Sequence, residues 1–287
     1  MSGLIINDNM TSVNAYNNLN RTNSALQSAV SKLSSGLNIQ NAADNPAGYV
    51  EGQLLQEQAN GYGQAISNAQ DAVSVLQTAQ GALNQEASVL QTMNTLATAA
   101  ANGGTQDTNQ LAAGQAEFKS LQSELDQISG STSYGSKALL DGTYTNQTFQ
   151  VGPYNQTNNQ VKLSIAASDS TTLGVGQTGA VGTGTLVAVS IDTVANAQAA
   201  MTAVQAAITT VAGIAAGVGA TQNQVQAIAS NLSTAQQNIQ SAHASLVDVN
   251  VAQETAVYTS TNILEQAGVS VLAQSNQLPA MALKLLQ

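Results

Sequence analysis

The residues that could carry out chemistry are few, and their spacing fits no catalytic site. His243 is the single histidine. An H-E-x-x-H zinc site needs two histidines and therefore cannot form, and a Ser-His-Asp triad would have to use His243 as its base together with a serine and an acid. The stretch GVGQTG at 174–179 has the glycine spacing of a dinucleotide loop, but no helical pattern follows it and no acid stands about twenty residues further on. No serine stands three residues before a lysine, which excludes a Ser-x-x-Lys nucleophile. The sequence therefore predicts no enzyme, no cofactor and no metal site.

The composition favours packed helices and argues against nucleic acid as a partner. Apolar residues make up 43% of the chain but aromatic residues only 3%, which suits narrow helical seams better than a thick globular core. Charged residues make up 8% and the net charge is −10. The six cations stand singly, so they form no basic stripe that could neutralise phosphates; they are Arg21, Lys32, Lys119, Lys137, Lys162 and Lys284.

Targeting signals are not evident in the sequence. The first residues, MSGLIINDNM, have neither a basic start nor an apolar core, so we expect no cleaved secretory signal. No run approaches the roughly 18 apolar residues of a membrane span, so we expect none. The chain has no cysteine, which excludes disulfides and thiolate sites and leaves the compartment open.

The first helical segment has one apolar seam and ends at a clear break. Leucine recurs every seven residues at Leu19, Leu26 and Leu33, as in a coiled coil. Gly36 and the polar stretch after it end this helix, and Asn45 followed by Pro46 predicts the start of a second one, as N-cap and first helical residue. A single-seam helix of this length is marginal alone in water, so it needs a partner.

The middle of the chain predicts a helical rod with a small β-hairpin. Heptad spacing continues from about residue 63 to 101, then through a shorter helix, and again from about residue 204 to 246. Between these helices, alternating residues at about 149–165 predict a β-hairpin, and the Gly-, Ser- and Thr-rich stretch 168–191 predicts an exposed loop. Eight heptad residues form what we call the rod seam: Leu76, Leu83, Leu90, Val204, Val211, Val225, Leu232 and Ile239.

The apolar series changes phase near residue 247. Eleven residues separate Leu246 from Val257, which is a heptad plus a stutter of four, so the apolar stripe changes face there. The two terminal segments each carry a seam that neither can bury alone, and the simplest arrangement pairs them. We call these residues the assembly seam: Leu19, Leu26, Leu33, Val257, Leu264, Val271 and Leu278.

Together these patterns predict a mainly α fold of long antiparallel helices in a coiled-coil bundle, with paired terminal helices. The predicted domains are a terminal coiled-coil core, 1–43 with 247–287, and a rod domain, 44–167 with 192–246. The exposed loop at 168–191 takes the place of any outer domain. The seams alone leave open whether they close within one chain or join several copies.

Four short stretches resemble bacterial flagellins. They are NNLN at 17–20, LSSGL at 33–37, GALN at 81–84 and QAGVSVLAQSNQLP at 266–279. The likeness covers roughly 1–150 and 200–287, in the family's order. It implies a subunit that leaves the cell through the flagellar export channel and polymerises with copies of itself into the extracellular filament used for swimming. It also implies an export chaperone and junction and cap proteins as partners.

Departures from the flagellin pattern concern charge. Flagellins commonly carry basic residues after LSSGL, in the long first helix and at the C-terminus, where this chain has Asn38, the stretch QTMNTLA at 91–97 and Gln287. Recognition by the animal innate receptor is therefore in doubt, and we expect weak salt dependence of any assembly. Two alternatives stay open: a hook-filament junction protein, and a flagellin-like surface protein that binds a polysaccharide or host ligand.

Overall fold

The fold is mainly helical, as the sequence predicts. A computed structural model describes residues 9–176 and 189–285, with side chains up to Gln277. Within these residues the α-helices are α1 (Met10–Ser35), α2 (Pro46–Ala100), α3 (Thr108–Ser131), α4 (Val194–Val247) and α5 (Val251–Leu285). Two short antiparallel strand pairs lie between α3 and α4: β1 (Ser133–Tyr134) with β2 (Lys137–Ala138), and β3 (Gln147–Gln150) with β4 (Gln160–Leu163). The second pair is the predicted hairpin.

The helix breaks follow local capping chemistry. α1 ends at Gly36, whose φ of 76° is a left-handed conformation that glycine adopts without strain. Asn45 caps the next helix, because its Oδ1 accepts a hydrogen bond from the Gly48 N–H at 3.0 Å. Pro46 is the first residue of α2, where its missing N–H costs no helical hydrogen bond. The break at 36–45 predicted from the sequence is thus present.

α2 is longer than its heptad pattern indicates. It runs without interruption through 55 residues, whereas the regular apolar series begins only near Gly63. Gly61 lies inside this helix, and a Cβ built on it would lie 2.7 Å from the Cβ of Pro153. A glycine is therefore required where the connection between β3 and β4 packs against α2.

The chain divides into two compact units. Unit 1 contains the residues up to Ala59 and those from Gln237 onward, and unit 2 contains Asn60–Gln236. The predicted domains place the boundaries at 43/44 and 246/247 instead. The difference arises because the boundary between the units lies inside both long helices rather than at the breaks: residues 46–59 of α2 and 237–247 of α4 belong to unit 1.

Unit 2 has the larger apolar core. α2 and α4 run antiparallel in it, because Gly103 lies beside Val194 and Gly63 lies beside Gln236. Phe118 and Leu125 of α3 are fully buried in the same cluster, so three helices share one core. The β3–β4 pair covers part of this core, as the buried Val161 and Leu163 of β4 show. Burial of these apolar side chains is the main stabilising contribution to the unit.

The stretch after the hairpin differs from the predicted exposed loop. Ser168, Ser170, Leu173, Val175 and Gly176 are buried, although the residues 177–188 of the predicted loop lie outside the described part of the chain. Leu173 and Val175 join the core of unit 2, and side chains of α2 and α3 supply polar partners for the rest. The sequence does not predict this burial, because the stretch has few apolar residues. Its burial depends on hydrogen bonds to helices that are distant along the chain.

One described helix, α4, is long and apolar enough to cross a membrane by its length and composition alone. An 18-residue stretch of α4 has a mean hydropathy of 1.6, and 28% of its residues are buried. The core helix of a protein in water meets the same criterion, and Val204, Val211 and Val218 of α4 do lie in the core of unit 2. The absence of a membrane span therefore stays a prediction.

Candidate assembly surface

The terminal helices α1 and α5 pack against each other within unit 1. They are antiparallel: the Nδ2 of Asn9 donates to the carbonyl oxygen of Ser275 at 2.9 Å, and Leu37 pairs with Asp248 at the other end. The Ser12 hydroxyl also donates to the Asn276 side chain at 2.7 Å. The predicted pairing of the two terminal helices is confirmed.

The break between α1 and α2 is tied to the break between α4 and α5. The Asn38 N–H donates to the carbonyl oxygen of Val247 at 2.7 Å, and the Val249 N–H donates to that of Gly36 at 2.9 Å. α4 ends at Val247 and α5 begins at Val251, so the phase change near residue 247 is an interruption of the helix rather than a shift of face along one helix. The unpaired backbone groups at both breaks satisfy each other.

Hydrogen bonds from uncharged side chains, together with one lysine and one carboxylate, hold the residues around the break between α1 and α2. Gln40 links to Ser31 and Ser35 through its side chain, and the Lys32 ammonium donates to the Asn38 Oδ1 at 2.9 Å. Hydrogen bonds from the backbone N–H groups of Asn41 and Gln40 lower the pKa of the exposed Asp44 carboxyl. Such contacts respond little to added salt.

The α1 members of the assembly seam face α5. Leu19, Leu26 and Leu33 are half-buried, and Ala29, between the last two, is buried. A Cβ built on Gly268 of α5 would lie 3.2 Å from the Leu19 Cδ1, which shows how closely the two helices approach. The leucine repeat thus marks the side of α1 that packs within the chain.

The α5 members of the assembly seam lie away from α1. Val257, Leu264 and Val271 are 39%, 58% and 52% exposed, and the side chain of Leu278 lies outside the described residues. The structure therefore does not bring the two halves of the assembly seam together. Val251, Ile263 and Val269 are exposed as well, at other angles around the helix. We call Val257, Leu264 and Val271, which share one side of the helix, the outer face of α5.

α5 turns a different, more polar set of residues toward α1. These residues are less exposed than their neighbours and alternate at spacings of four and three, as in a coiled-coil seam; they are Glu254, Tyr258, Thr261, Glu265, Gly268, Leu272 and Ser275. Sequence reasoning missed this seam because it searched for apolar residues. The 4-3 spacing of small and polar residues was the available signal.

Further exposed apolar residues lie on α1 and at the start of α2. Met10, Val13, Tyr16 and Val30 of α1 are 47–62% exposed. An open groove of about 500 Å³ lies beside Val30 and is lined by Leu26, Gln27, Val30, Ser31, Ser34 and Ser35. Val50 and Leu54, one helical turn apart on α2, are about 60% exposed. Unit 1 therefore exposes large apolar side chains on three helices, which is unusual for a surface that stays in water.

The rod seam lies in the interior of unit 2, with one exception. Leu76, Leu83 and Leu90 of α2 are fully buried, and so are Val204, Val211 and Val225 of α4, to within 1% exposure. Leu232 is 9% exposed. Ile239 is half-buried and belongs to unit 1. The heptad spacing in α2 and α4 therefore coincides with burial at these positions.

The residues first considered for chemistry do not converge on a site in the described parts of the chain. His243 is half-buried on α4, and residues 9–176 and 189–285 contain no group of three or more His, Cys, Asp or Glu side chains able to hold a metal. In GVGQTG, Gly174 is in a left-handed conformation with a φ of 74°, and the last three residues, 177–179, lie outside the described part of the chain. The absence of an enzyme, cofactor or metal site stays a prediction.

Both ends of the chain match the sequence families of one filament protein. The family described as the bacterial flagellin N-terminal helical region matches residues 6–145, and the bacterial flagellin C-terminal helical region matches residues 201–286. A flagellin from Halalkalibacterium halodurans is 34% identical over 284 residues, covering 99% of this chain and 100% of the relative. A flagellin from Bacillus subtilis is 34% identical over 308 residues, covering 98% and 99%.

A solved structure is similar to this fold. It is a protein from Vibrio parahaemolyticus described as flagellar hook-associated, with a TM-score of 0.57 and 13% identity. The similarity covers 71% of this chain and 100% of that protein. At this identity the similarity concerns the arrangement of the helices and strands.

Proposed function

The chain belongs to the bacterial flagellin family, a family of structural proteins, and is a subunit of the extracellular flagellar filament; we propose that the assembly seam residues of α5 form its contacts with neighbouring copies. The observation that carries this proposal is the exposure of Val257, Leu264 and Val271 on a helix whose other side is already occupied by α1.

The energy of these exposed side chains supports the proposal. Complete burial of a valine or leucine side chain contributes about 1.5–3 kcal/mol. Val257, Leu264 and Val271 are each 39–58% exposed, so roughly 1 kcal/mol per side chain stays available for a contact with another molecule. The three residues on the outer face of α5 can therefore drive association without any ion pair.

The geometry of these surfaces fits an open polymer. Val257, Leu264 and Val271 recur every seven residues and form one stripe along α5, while the exposed apolar residues of α1 and the start of α2 are different surfaces. A contact between two different surfaces of successive copies is head-to-tail, and such contacts continue into helical filaments when the rotation does not close a ring. We propose that Leu19, Leu26 and Leu33 act indirectly, by holding α5 so that its outer face points away from α1.

The domain division and the remaining partners are also proposals. We propose that 1–43 with 247–287 forms the terminal core domain and that 44–167 with 192–246 forms the rod domain. Unit 1 joins the two ends of the chain, and unit 2 is the stretch between them, which supports this division. Family membership supports export through the flagellar apparatus, with a chaperone, and contact with junction and cap proteins. The polysaccharide-binding or junction alternatives are not favoured, because relatives matching nearly the full chain are flagellins.

A substitution on the outer face tests the proposed contacts. The triple variant Val257→Ser, Leu264→Ser and Val271→Ser removes apolar area that the isolated chain leaves exposed, so the monomer should keep its helical content. Tyr154→Ser is the matched control, because Tyr154 is 52% exposed but lies in the hairpin connection of unit 2. We expect wild type and the control to grow from filament seeds and the triple variant to stay monomeric. Growth of the triple variant at the wild-type critical concentration would contradict the proposal.

A further inference from the structure

Residues 168–176, which we call the latch segment, are held on unit 2 by polar contacts from two helices. The Ser168 hydroxyl donates to the Glu86 Oε1 of α2 at 2.8 Å. The Ser170 N–H donates to the Asp126 Oδ1 of α3 at 2.9 Å. Leu173 and Val175 are its buried apolar side chains. The latch segment is therefore anchored by hydrogen bonds and by two buried apolar side chains.

The far end of the latch segment is held by a buried amide. The Gln122 Nε2 of α3 donates to the carbonyl oxygens of Val175 and Val189, at 2.5 and 3.2 Å. The Val189 N–H donates to the Gly176 carbonyl oxygen at 3.3 Å. These contacts involve no group that titrates, so they do not respond to pH. The pH-sensitive contact lies at the other end, at Ser168.

Glu86 is an unusual residue for that position. It is completely buried on the side of α2 that carries Leu83 and Leu90 of the rod seam. Its Oε2 has no hydrogen-bond partner in the described parts of the chain. Burial raises the pKa of Glu86 to about 7, against the lowering effect of the Ser168 hydroxyl, and the nearby Asp169 carboxylate raises it further.

We propose that Glu86 is a proton-controlled latch, which keeps residues 168–176 docked on α2 when it is neutral and favours their release when it is ionised. A buried carboxylate with a single hydrogen bond is costly, since its solvation by water is lost. Lifting the latch segment would admit water to Glu86 at the cost of exposing two apolar side chains, Leu173 and Val175. The alternative, opening the core between α2 and α4, would expose many more apolar side chains.

The negative charge near Glu86 also favours release of the latch segment when Glu86 ionises. Asp169 of the latch segment is the charged group that acts on it directly, and Asp126 of α3 holds the same segment through Ser170. The Asp169 carboxylate therefore adds repulsion when Glu86 ionises. Tyr144, also in this core, has its pKa raised by burial and stays neutral over the same range.

The direction of the pH effect follows from linkage. When the latch segment is released, Glu86 meets water and its pKa returns toward 4.5, the ordinary value of a glutamate carboxyl. The docked form therefore binds the proton more tightly, so docking is fully favoured below pH 4.5 and is weakened as the pH rises to about 7. Above that pH no further change is expected from this group.

Hydrogen exchange of the full-length monomer between pH 5 and pH 8 tests the latch. After correction for intrinsic exchange rates, protection of the Ser168, Ser170 and Val175 amides should fall as the pH rises. The fall can reach roughly 100-fold, because each pH unit within the shifted range changes the opening equilibrium about tenfold. The amides of the β3–β4 pair serve as an internal reference and should keep their protection.

Two variants separate the latch from other causes. Glu86→Gln keeps the acceptor for Ser168 and cannot ionise, so its protection should not change with pH. Ser168→Ala removes a hydrogen bond that favours the ionised form, so the pH dependence should persist with its midpoint at higher pH. Constant protection in wild type, an unchanged slope in Glu86→Gln, or an equal loss at β3–β4 would each overturn the proposal.

Discussion

Glycine-to-alanine substitutions in the long helices should change the free energy of unfolding in opposite directions at two kinds of site. Gly213, Gly217 and Gly219 of α4 are helical, and a Cβ built on each meets nothing within 4 Å. Alanine should stabilise each site by about 0.5–1 kcal/mol, because it restricts the unfolded chain and favours the helix. At Gly61 of α2 a Cβ would lie 2.7 Å from the Pro153 Cβ, so alanine should cost about 1–3 kcal/mol through overpacking.

Urea unfolding of the monomer, followed by circular dichroism, measures both effects. The triple variant Gly213→Ala, Gly217→Ala and Gly219→Ala should raise the transition midpoint, and Gly61→Ala should lower it. Gly81→Ala is the matched control for Gly61, because Gly81 lies on the same helix with nothing within 4 Å of its Cβ position. The reasoning is refuted if Gly61→Ala and Gly81→Ala shift the midpoint equally, since only the contact with Pro153 distinguishes them.

Three further predictions use the same unfolding assay. Leu90→Ala should cost about 2–5 kcal/mol, because Leu90 is fully buried in the rod seam; a loss below 1 kcal/mol would mean that the core can collapse around the cavity. Asp107→Ala should cost about 1 kcal/mol, because the Asp107 and Gln110 side chains form the capping box of α3, and no loss would show that water replaces it. Raising the pH from 4.5 to about 7 should lower the free energy of unfolding of unit 2 by about 3 kcal/mol, because each unit by which folding raises the pKa of Glu86 contributes about 1.36 kcal/mol. Glu86→Gln should abolish this slope, and an identical slope in that variant would assign it to another group.

Local signals in the sequence were sufficient for the helix ends and for the core of the rod. Gly36 and Asn45 act through their own backbone and side-chain hydrogen bonds, so their effect can be read from neighbouring residues alone. The rod seam could be predicted because heptad spacing and apolar character coincide there. Leu76, Leu83 and Leu90 are all buried for that reason.

The contact between α1 and α5 could be predicted only in part. The pairing follows from two helices that each need a partner, but the side of α5 that faces α1 does not. A search for apolar repeats selects Val257, Leu264 and Val271, whereas small and polar residues such as Gly268 and Ser275 allow the close approach. An exposed apolar stripe has the same spacing as a buried one, so the sequence alone cannot distinguish a contact within the chain from one between copies.

The latch segment shows another limit of sequence reasoning. Ser168 and Ser170 look like loop residues, and their burial depends on Glu86 and Asp126, which stand 82 and 44 residues away along the chain. No local pattern connects these residues. The presence of a fully buried glutamate in a heptad helix was equally invisible, because a charged residue beside an apolar seam usually faces water.

The exposure of a single thiol on the outer face of α5, before and after assembly, tests the central claim most directly. The chain has no cysteine, so the variant Leu264→Cys carries one thiol at a position that is 58% exposed in the subunit, and Tyr154→Cys carries one at a comparably exposed position in unit 2. A thiol reagent should label both monomers at similar rates. In filaments we expect the thiol at position 264 to be protected and the thiol at 154 to stay reactive. Equal labelling of the position 264 thiol in monomer and filament would contradict the assignment of this face to contacts between copies.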